Sequence, residues 1–203
     1  MGVVLSERFA GYRHYAPIDA RALRQYRVFE PLGFFGVEPT TEGALTFLKT
    51  GTAILSEGNN ALWVTVQGQF TDPRQRPVLI RPGVGHLLRR LQGAVVLPLA
   101  IEYPFWQERY PEALAYFGAP MVVDRGREHP VEAWMSRIEV GLTAAMDALA
   151  LEAQSQGADR FDTVAGGSVG VGGVYDLWRR LKAALAGRRF LQGHAEAVTE
   201  GAS

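Results

Sequence analysis

The chain contains no cysteine. Disulfides, thiolate metal sites and a cysteine nucleophile are therefore excluded, while the compartment is left open. Lysine is almost as scarce. Of the 21 basic residues only Lys49 and Lys182 are lysine, and the other nineteen are arginine. Arginine makes bidentate pairs with phosphate, although a codon bias gives the same count. Neither sign of charge is in excess: 21 basic and 21 acidic residues leave a formal net charge of zero. No general attraction to nucleic acid follows. No apolar run approaches the roughly 18 residues that span a bilayer. Residues 1–10 lack the basic start of a signal peptide. A cytoplasmic protein is expected, at most peripheral on the inner membrane face.

What is present is an ordinary globular composition, 47% hydrophobic and 21% charged. A length of 203 residues suits one domain with a sizeable core. We expect that domain over residues 1–190 and a flexible tail over 191–203. The pattern of strands alternating with helices predicts an α/β fold, a single sheet flanked by helices.

Residues 3–9 read as the end of a helix and 14–18 as a short strand. Asp19 is placed to cap a helix running to about Phe29, with Leu23, Tyr26 and Phe29 on its apolar side. Residues 32–37 read as a short strand or turn. Thr40 and Thr41 signal a helix over 41–55, with Leu45, Phe47, Leu48 and Ile54 inward. Residues 56–60 form a turn cluster, and 62–66 are rich in β-formers. A loop over 67–81 leads to a helix over 84–91 and then to the longest apolar strand, 94–103. Another strand is expected at 121–123. Pro130 opens a long amphipathic helix ending near Gln156 and Gly157. Its apolar positions, Trp134, Met135, Ile138, Leu142, Met146 and Leu149, form a packing stripe; the polar face lacks the lysines and arginines of a membrane helix. A last helix is expected over 174–186.

Three blocks stand out in the middle of this order. Leu32-Gly33-Phe34-Phe35-Gly36-Val37-Glu38 is the first. Thr65-Val66-Gln67-Gly68-Gln69-Phe70-Thr71 closes a strand and starts a polar loop. Pro82-Gly83 then opens a helix, and Val96-Leu97-Pro98-Leu99-Ala100-Ile101 forms the closing strand. Together they resemble the glycerolipid acyltransferases, the lysophosphatidic-acid-acyltransferase-like family, over roughly residues 30–125. The resemblance implies transfer of an acyl group from acyl-CoA or acyl-carrier protein to a hydroxyl of a lysolipid or lipid-like acceptor. It implies no cofactor, and peripheral contact with a membrane.

In the family the first block helps to hold the acceptor's phosphate and ends in an arginine, which falls here near Glu38 or Pro39. In the second block Gln67 stands for a glutamate and Gly68 is retained. Gln69-Phe70-Thr71 replaces Thr-Arg-Ser. The implied substrate-binding residues are thus Gly33, Gln67, Gly68 and Thr71, with Arg74, Arg76 and Arg81 as replacement cations. A glycine after a strand lets the backbone approach a ligand closely. Gln67 donates and accepts hydrogen bonds but carries no charge.

The family's chemistry uses a His-x4-Asp pair. The histidine takes the acceptor's proton and the aspartate fixes its tautomer. His14 and Asp19 have that spacing. Asp19 is better read as a helix cap and His14 as a strand residue. The preferred expectation puts the true pair before Met1, with residues 1–9 as the tail of the helix that carries it.

Two further readings are set beside this one. The first is a truncated or non-catalytic relative that binds lipid without turnover. The second is a small serine hydrolase. Gly166-Gly167-Ser168-Val169-Gly170 matches a nucleophile elbow, with Asp176 and His194 following in the right chain order, or else it is a glycine-rich turn before a helix. Glu102-Tyr103-Pro104-Phe105-Trp106, with Tyr110, Tyr116 and Phe117, reads as an acyl-chain groove, a membrane-facing surface or core. His86 and His129 have no second ligand at metal-site spacing, so no metal is expected.

Overall fold

The computed structural model describes Leu5 and residues 9–69, 71–106, 111–156 and 160–164. Every element below belongs to the unit Met1–Asp162, and Thr163–Ser203 form a second unit. Helices and small sheets are mixed along the first unit, compatible with an α/β class, but the described strands form one three-stranded and two two-stranded sheets rather than the single sheet expected.

Strand β1, Arg13–Asp19, is central in a parallel sheet with β2, Phe34–Val37, and β3, Asn60–Leu62, in the order β2-β1-β3. The register pairs Ala16 with Phe34 and His14 with Ala61. Between β1 and β2 runs helix α1, Ala20–Gln25. The Asp19 carboxylate caps it, accepting from the backbone N–H of Arg21 at 2.6 Å and Ala22 at 3.4 Å. The helix stops four residues before Phe29, because the chain tightens into a 3-10 segment, Arg27–Leu32, with Pro31 inside it. A proline has no N–H to carry an α-helix onward.

Helix α2, Thr41–Ser56, starts at its capping threonine: Thr40 Oγ1 accepts from the Gly43 N–H at 3.0 Å. Leu48 is buried beneath it, but Leu45 faces solvent. Strand β3 forms earlier than the β-rich run over 62–66 suggests. The pairing covers Asn60–Leu62, and one further bond, Trp63 N–H to Tyr15 C=O at 2.9 Å, extends it. Propensity marked the right region, and cross-strand pairing with β1 decided the register.

Helix α3, Pro82–Leu88, opens with proline in its first turn. Residues 94–103 do not form the single strand expected from their apolarity. They divide into β4, Ala94–Val96, and β5, Leu99–Glu102. Strand β4 pairs antiparallel with β7, Met121–Val123; β5 pairs antiparallel with β6, Leu114–Phe117. Pro98 sits at the break and cannot donate to a ladder. The register shifts there by one residue, since Val96 faces Met121 while Leu99 faces Phe117. Two residues on one side of the break thus face three on the other, which bends the ribbon as a bulge does.

Helix α4, Val131–Gln154, crosses this ribbon. Small residues let it come close: a Cβ on Gly118 would lie 3.1 Å from Ala145 Cβ, and one on Gly141 would lie 3.2 Å from Pro98 Cγ. The helix serves two core clusters. Trp134 and Ile138 pack with Leu48, Val84, Leu87, Leu88, Leu91 and Val123. Ala145, Leu149 and Ala153 pack with Ala100 and Leu114. Each fully buried Leu or Val contributes about 1.5–3 kcal/mol, so this one helix organises most of the apolar burial. Met135 and Met146 lie half-buried at the margins of the stripe.

Candidate functional site

Strand β1 holds both members of the candidate dyad, and its geometry keeps them apart. Five residues of strand rise span roughly 16 Å, and an odd separation turns the side chains to opposite faces. Each residue is engaged elsewhere. His14 Nδ1 accepts from the indole N–H of Trp63 at 3.0 Å. Its Nε2 lies 3.2 Å from the carbonyl of Phe9. One arrangement satisfies both contacts: a neutral ring with the proton on Nε2, donating to Phe9. His14 thus anchors an aromatic group in which the Phe9 ring meets Trp63 and Phe117 edge-on. Asp19 caps α1. No hydrogen bond joins the two residues, so the structure does not bring the dyad together.

Gly33 caps the 3-10 segment in the left-handed region, with φ 86°. Its carbonyl accepts from the Ala16 N–H at 3.2 Å. Added bulk would strike β1, because a Cβ there would lie 2.0 Å from the His14 carbonyl oxygen. The tight fit explains the glycine without a ligand. Glu38, where the arginine of the resembled block would fall, pairs with Arg24 at 3.2 Å on the surface.

The loop after β3 brings the other candidates together. Gly68 turns the chain at φ 66°, with its N–H donating to Thr65 C=O at 3.0 Å. Arg81 closes the loop at its base, N–H to Val66 C=O at 2.8 Å. The Arg81 side chain lies over Gly68, where a Cβ would be 3.1 Å from its Cγ and Nε. Gln67 Nε2 donates to Thr71 Oγ1 at 2.6 Å. A glutamine amide and a threonine hydroxyl therefore form a neutral pair, and the Arg81 side chain lies over the neighbouring Gly68.

The two arginines further along the loop are committed to carboxylates. Arg74 chelates Asp72 through Nε at 2.9 Å and Nη2 at 2.7 Å, and its backbone N–H adds a third bond at 2.9 Å. These side-chain and backbone bonds hold the Asp72 carboxyl well below the usual range, and Asp72 in turn raises Arg74. Arg76 reaches Asp147 on α4 and also donates to Pro73 C=O at 2.8 Å. Among the described residues Arg81 is the loop arginine without an ion pair. The Asp72-x-Arg74 turn was readable from local spacing, but Asp147 lies 71 residues from Arg76 and no local signal marks it.

Between the loop, the end of β5 and the face of α4 lies an open cleft of about 700 Å³. Pro73 and Pro77 on one side face Met146 on the other, with Glu102 and Glu139 beside the Arg76–Asp147 link. Of the expected aromatic series Trp106 and Phe117 are partly buried, Tyr116 is exposed, and Tyr110 lies outside the described residues. Trp106 donates to Ala153 C=O at 2.8 Å, while Tyr103 and Phe105 stay exposed. No group of three or more His, Asp or Glu gathers among the described residues. No described helix is long and apolar enough to cross a membrane. Ser168, Asp176, His194 and the helix expected over 174–186 lie outside the described residues, as does Phe70.

The chain matches no protein-family model, no curated protein and no solved structure.

Proposed function

We propose that this chain is an acyltransferase moving an acyl group from acyl-CoA or acyl-carrier protein to a hydroxyl of a lysolipid or lipid-like acceptor. The observation that carries the reading is the closed loop from Gln67 to Arg81. It follows a strand, turns at Gly68 and ends at a Pro-Gly helix start before the next strand. That is the order of the glycerolipid acyltransferase blocks.

In this reading the Gln67–Thr71 pair and the Arg81 guanidinium orient the acceptor. The acceptor oxygen attacks the thioester carbonyl and loses its proton, and the departing thiolate takes one up. His14 is not assigned the proton transfer, because both of its ring nitrogens are engaged.

The test is thiol release from acyl-CoA by the purified chain across a panel of lysolipid and alcohol acceptors. Acceptor-dependent release, lowered about tenfold or more by Arg81→Ala, is expected for loss of one charged hydrogen-bonding group. Absence of release with every acceptor would sink the proposal. One observation favours a second reading, a non-catalytic relative that binds lipid: the bonded state of His14. That reading expects lysolipid binding with no thiol release.

A further inference from the structure

The antiparallel ribbon has one face in the core and one bare. On β4, Ala94 and Val96 pack against the core, and on β7 so do Met121 and Val123. The alternate positions point the other way. Val95 and Val122 are direct cross-strand partners on that outer side, 60% and 54% exposed. Leu97, one step further along, is 40% exposed, and Pro120 just before β7 is exposed too. An outward strand face normally carries polar residues. Val95 and Val122 on paired strands, with Leu97 and Pro120 just beyond the strand ends, leave an apolar surface that water does not favour.

The charge at one end of this patch is of one predominant sign. The Gly93 N–H donates to Val123 C=O at 2.9 Å, and the Gly126 N–H to Leu91 C=O at 3.1 Å. These bonds knit the end of α3 to the turn after β7. Arg89, Arg90, Arg125 and Arg127 are therefore gathered at that end of the ribbon, and all four are exposed. The acids in the same two segments are Asp124 and Glu128, with Glu128 bound to Arg125 at 3.0 Å. Four guanidinium groups against two carboxylates leave an excess of two positive charges. An apolar strand face with arginines gathered at one end is complementary to a bilayer with anionic headgroups.

We propose that the outer face of the β4–β7 ladder docks on an anionic lipid surface. The valines and Leu97 enter the headgroup–acyl boundary, and the arginines meet phosphate. The proposal rests on the reading of the acceptor as a lipid, and it names the face through which the enzyme would meet that lipid. Its evidence is independent of the loop.

The experiment is vesicle co-sedimentation of the full chain. The vesicles are equimolar phosphatidylglycerol and phosphatidylcholine, with phosphatidylcholine alone as control. Salt-sensitive binding to the anionic vesicles is expected. Val95→Thr with Val122→Thr keeps the shape and the strand preference of both positions, so the fold survives, and it should weaken partition about tenfold or more through lost apolar burial. Arg89→Gln with Arg90→Gln should weaken it about fivefold per charge and flatten the salt dependence.

Unchanged binding in the valine variant overturns the proposal, as does failure of the wild-type chain to bind. Concentration-dependent dimers that the valine variant abolishes, without vesicle binding, assign the face to a second copy instead. Vesicle binding with these dependences but no thiol release leaves the docking face standing and removes the acyltransferase. Thiol release with soluble acceptors and no vesicle binding does the reverse.

Discussion

The indole N–H of Trp63 donates to Nδ1 of His14 across 3.0 Å, and the opposite nitrogen of the same ring contacts the Phe9 carbonyl at 3.2 Å. A residue with the sequence spacing of a catalytic base is in this fold a bridge between β1 and the chain just beyond β3. His14→Ala leaves the Trp63 indole N–H without its partner in a half-buried site, while the Phe9 carbonyl keeps the Tyr12 N–H at 2.9 Å. The expected cost is about 1–3 kcal/mol in urea unfolding. Thiol release from acyl-CoA should stay within about twofold of wild type once the folded fraction is corrected for. A stable variant with no turnover would return His14 to catalysis.

Gly33 sits in the first block of the resemblance, yet its contacts are those of a packing residue. At φ 86° any side chain is strained, and a Cβ would meet a backbone oxygen at 2.0 Å. A backbone atom cannot swing aside as a side-chain tip can. Gly33→Ala should therefore part β1 from β2 and cost about 3 kcal/mol or more, through strain and overpacking together. The check is the urea midpoint. Full stability with lost ligand affinity would show instead that the glycine serves a substrate.

Local chemistry wrote the helix starts plainly. Asp19, Thr40 and Pro82 each stand where a cap or a first-turn proline belongs, and each was legible from its neighbours. The stripe on α4 was legible for the same reason, since a 3.6-residue period needs no knowledge of the partner. Pairing partners were not legible. The run over 94–103 has one composition throughout, and only the register against β6 and β7 reveals the break at Pro98. The loop was readable as a loop, with Gln67, Gly68 and Thr71 falling together in it. The fate of Arg74 and Arg76 was set by carboxylates, one of them on a distant helix. The bond that holds His14, on the strand where the sequence put it, was not legible for a related reason: its partner Trp63 lies 49 residues away.

Asp72 supplies the pH prediction. Its folded carboxyl is held below the unfolded value of about 3.9 by the Arg74 bonds. A depressed folded value favours the folded loop above the unfolded one, and that contribution is lost as pH falls toward the folded value. The Arg74–Asp72 clasp should thus persist at neutral pH and still hold at about pH 3, where an ordinary aspartate is mostly protonated. Carboxyl carbon-13 titration reads this directly. Arg74→Ala should move the Asp72 midpoint up toward the ordinary value. A wild-type midpoint near 4 would mean that the clasp does not form in solution.

Trp134 is buried in the cluster that α4 forms with α3 and β7. It is 1% exposed, its indole N–H donates to Gly126 C=O at 2.9 Å, and the guanidinium carbon of Arg137 lies 4.6 Å from the ring centre. Gly126 in turn donates to Leu91 C=O at 3.1 Å, so one side chain on α4 fixes the turn that ties α3 to the end of β7. Trp134→Phe keeps most of the apolar volume but strips the buried carbonyl of its partner, an expected loss of about 1–3 kcal/mol. Trp134→Ala adds a cavity and should cost about 3–5 kcal/mol. The two variants should differ in where the damage appears. Trp134→Phe should speed hydrogen exchange at the Gly126 and Gly93 amides while leaving those of β1 unchanged, because the lost bond acts on the turn. Trp134→Ala should speed exchange throughout the cluster of Leu87, Val123 and Ile138. Equal exchange at Gly126 in wild type and Trp134→Phe would show that the turn is held by the Leu91 bond alone.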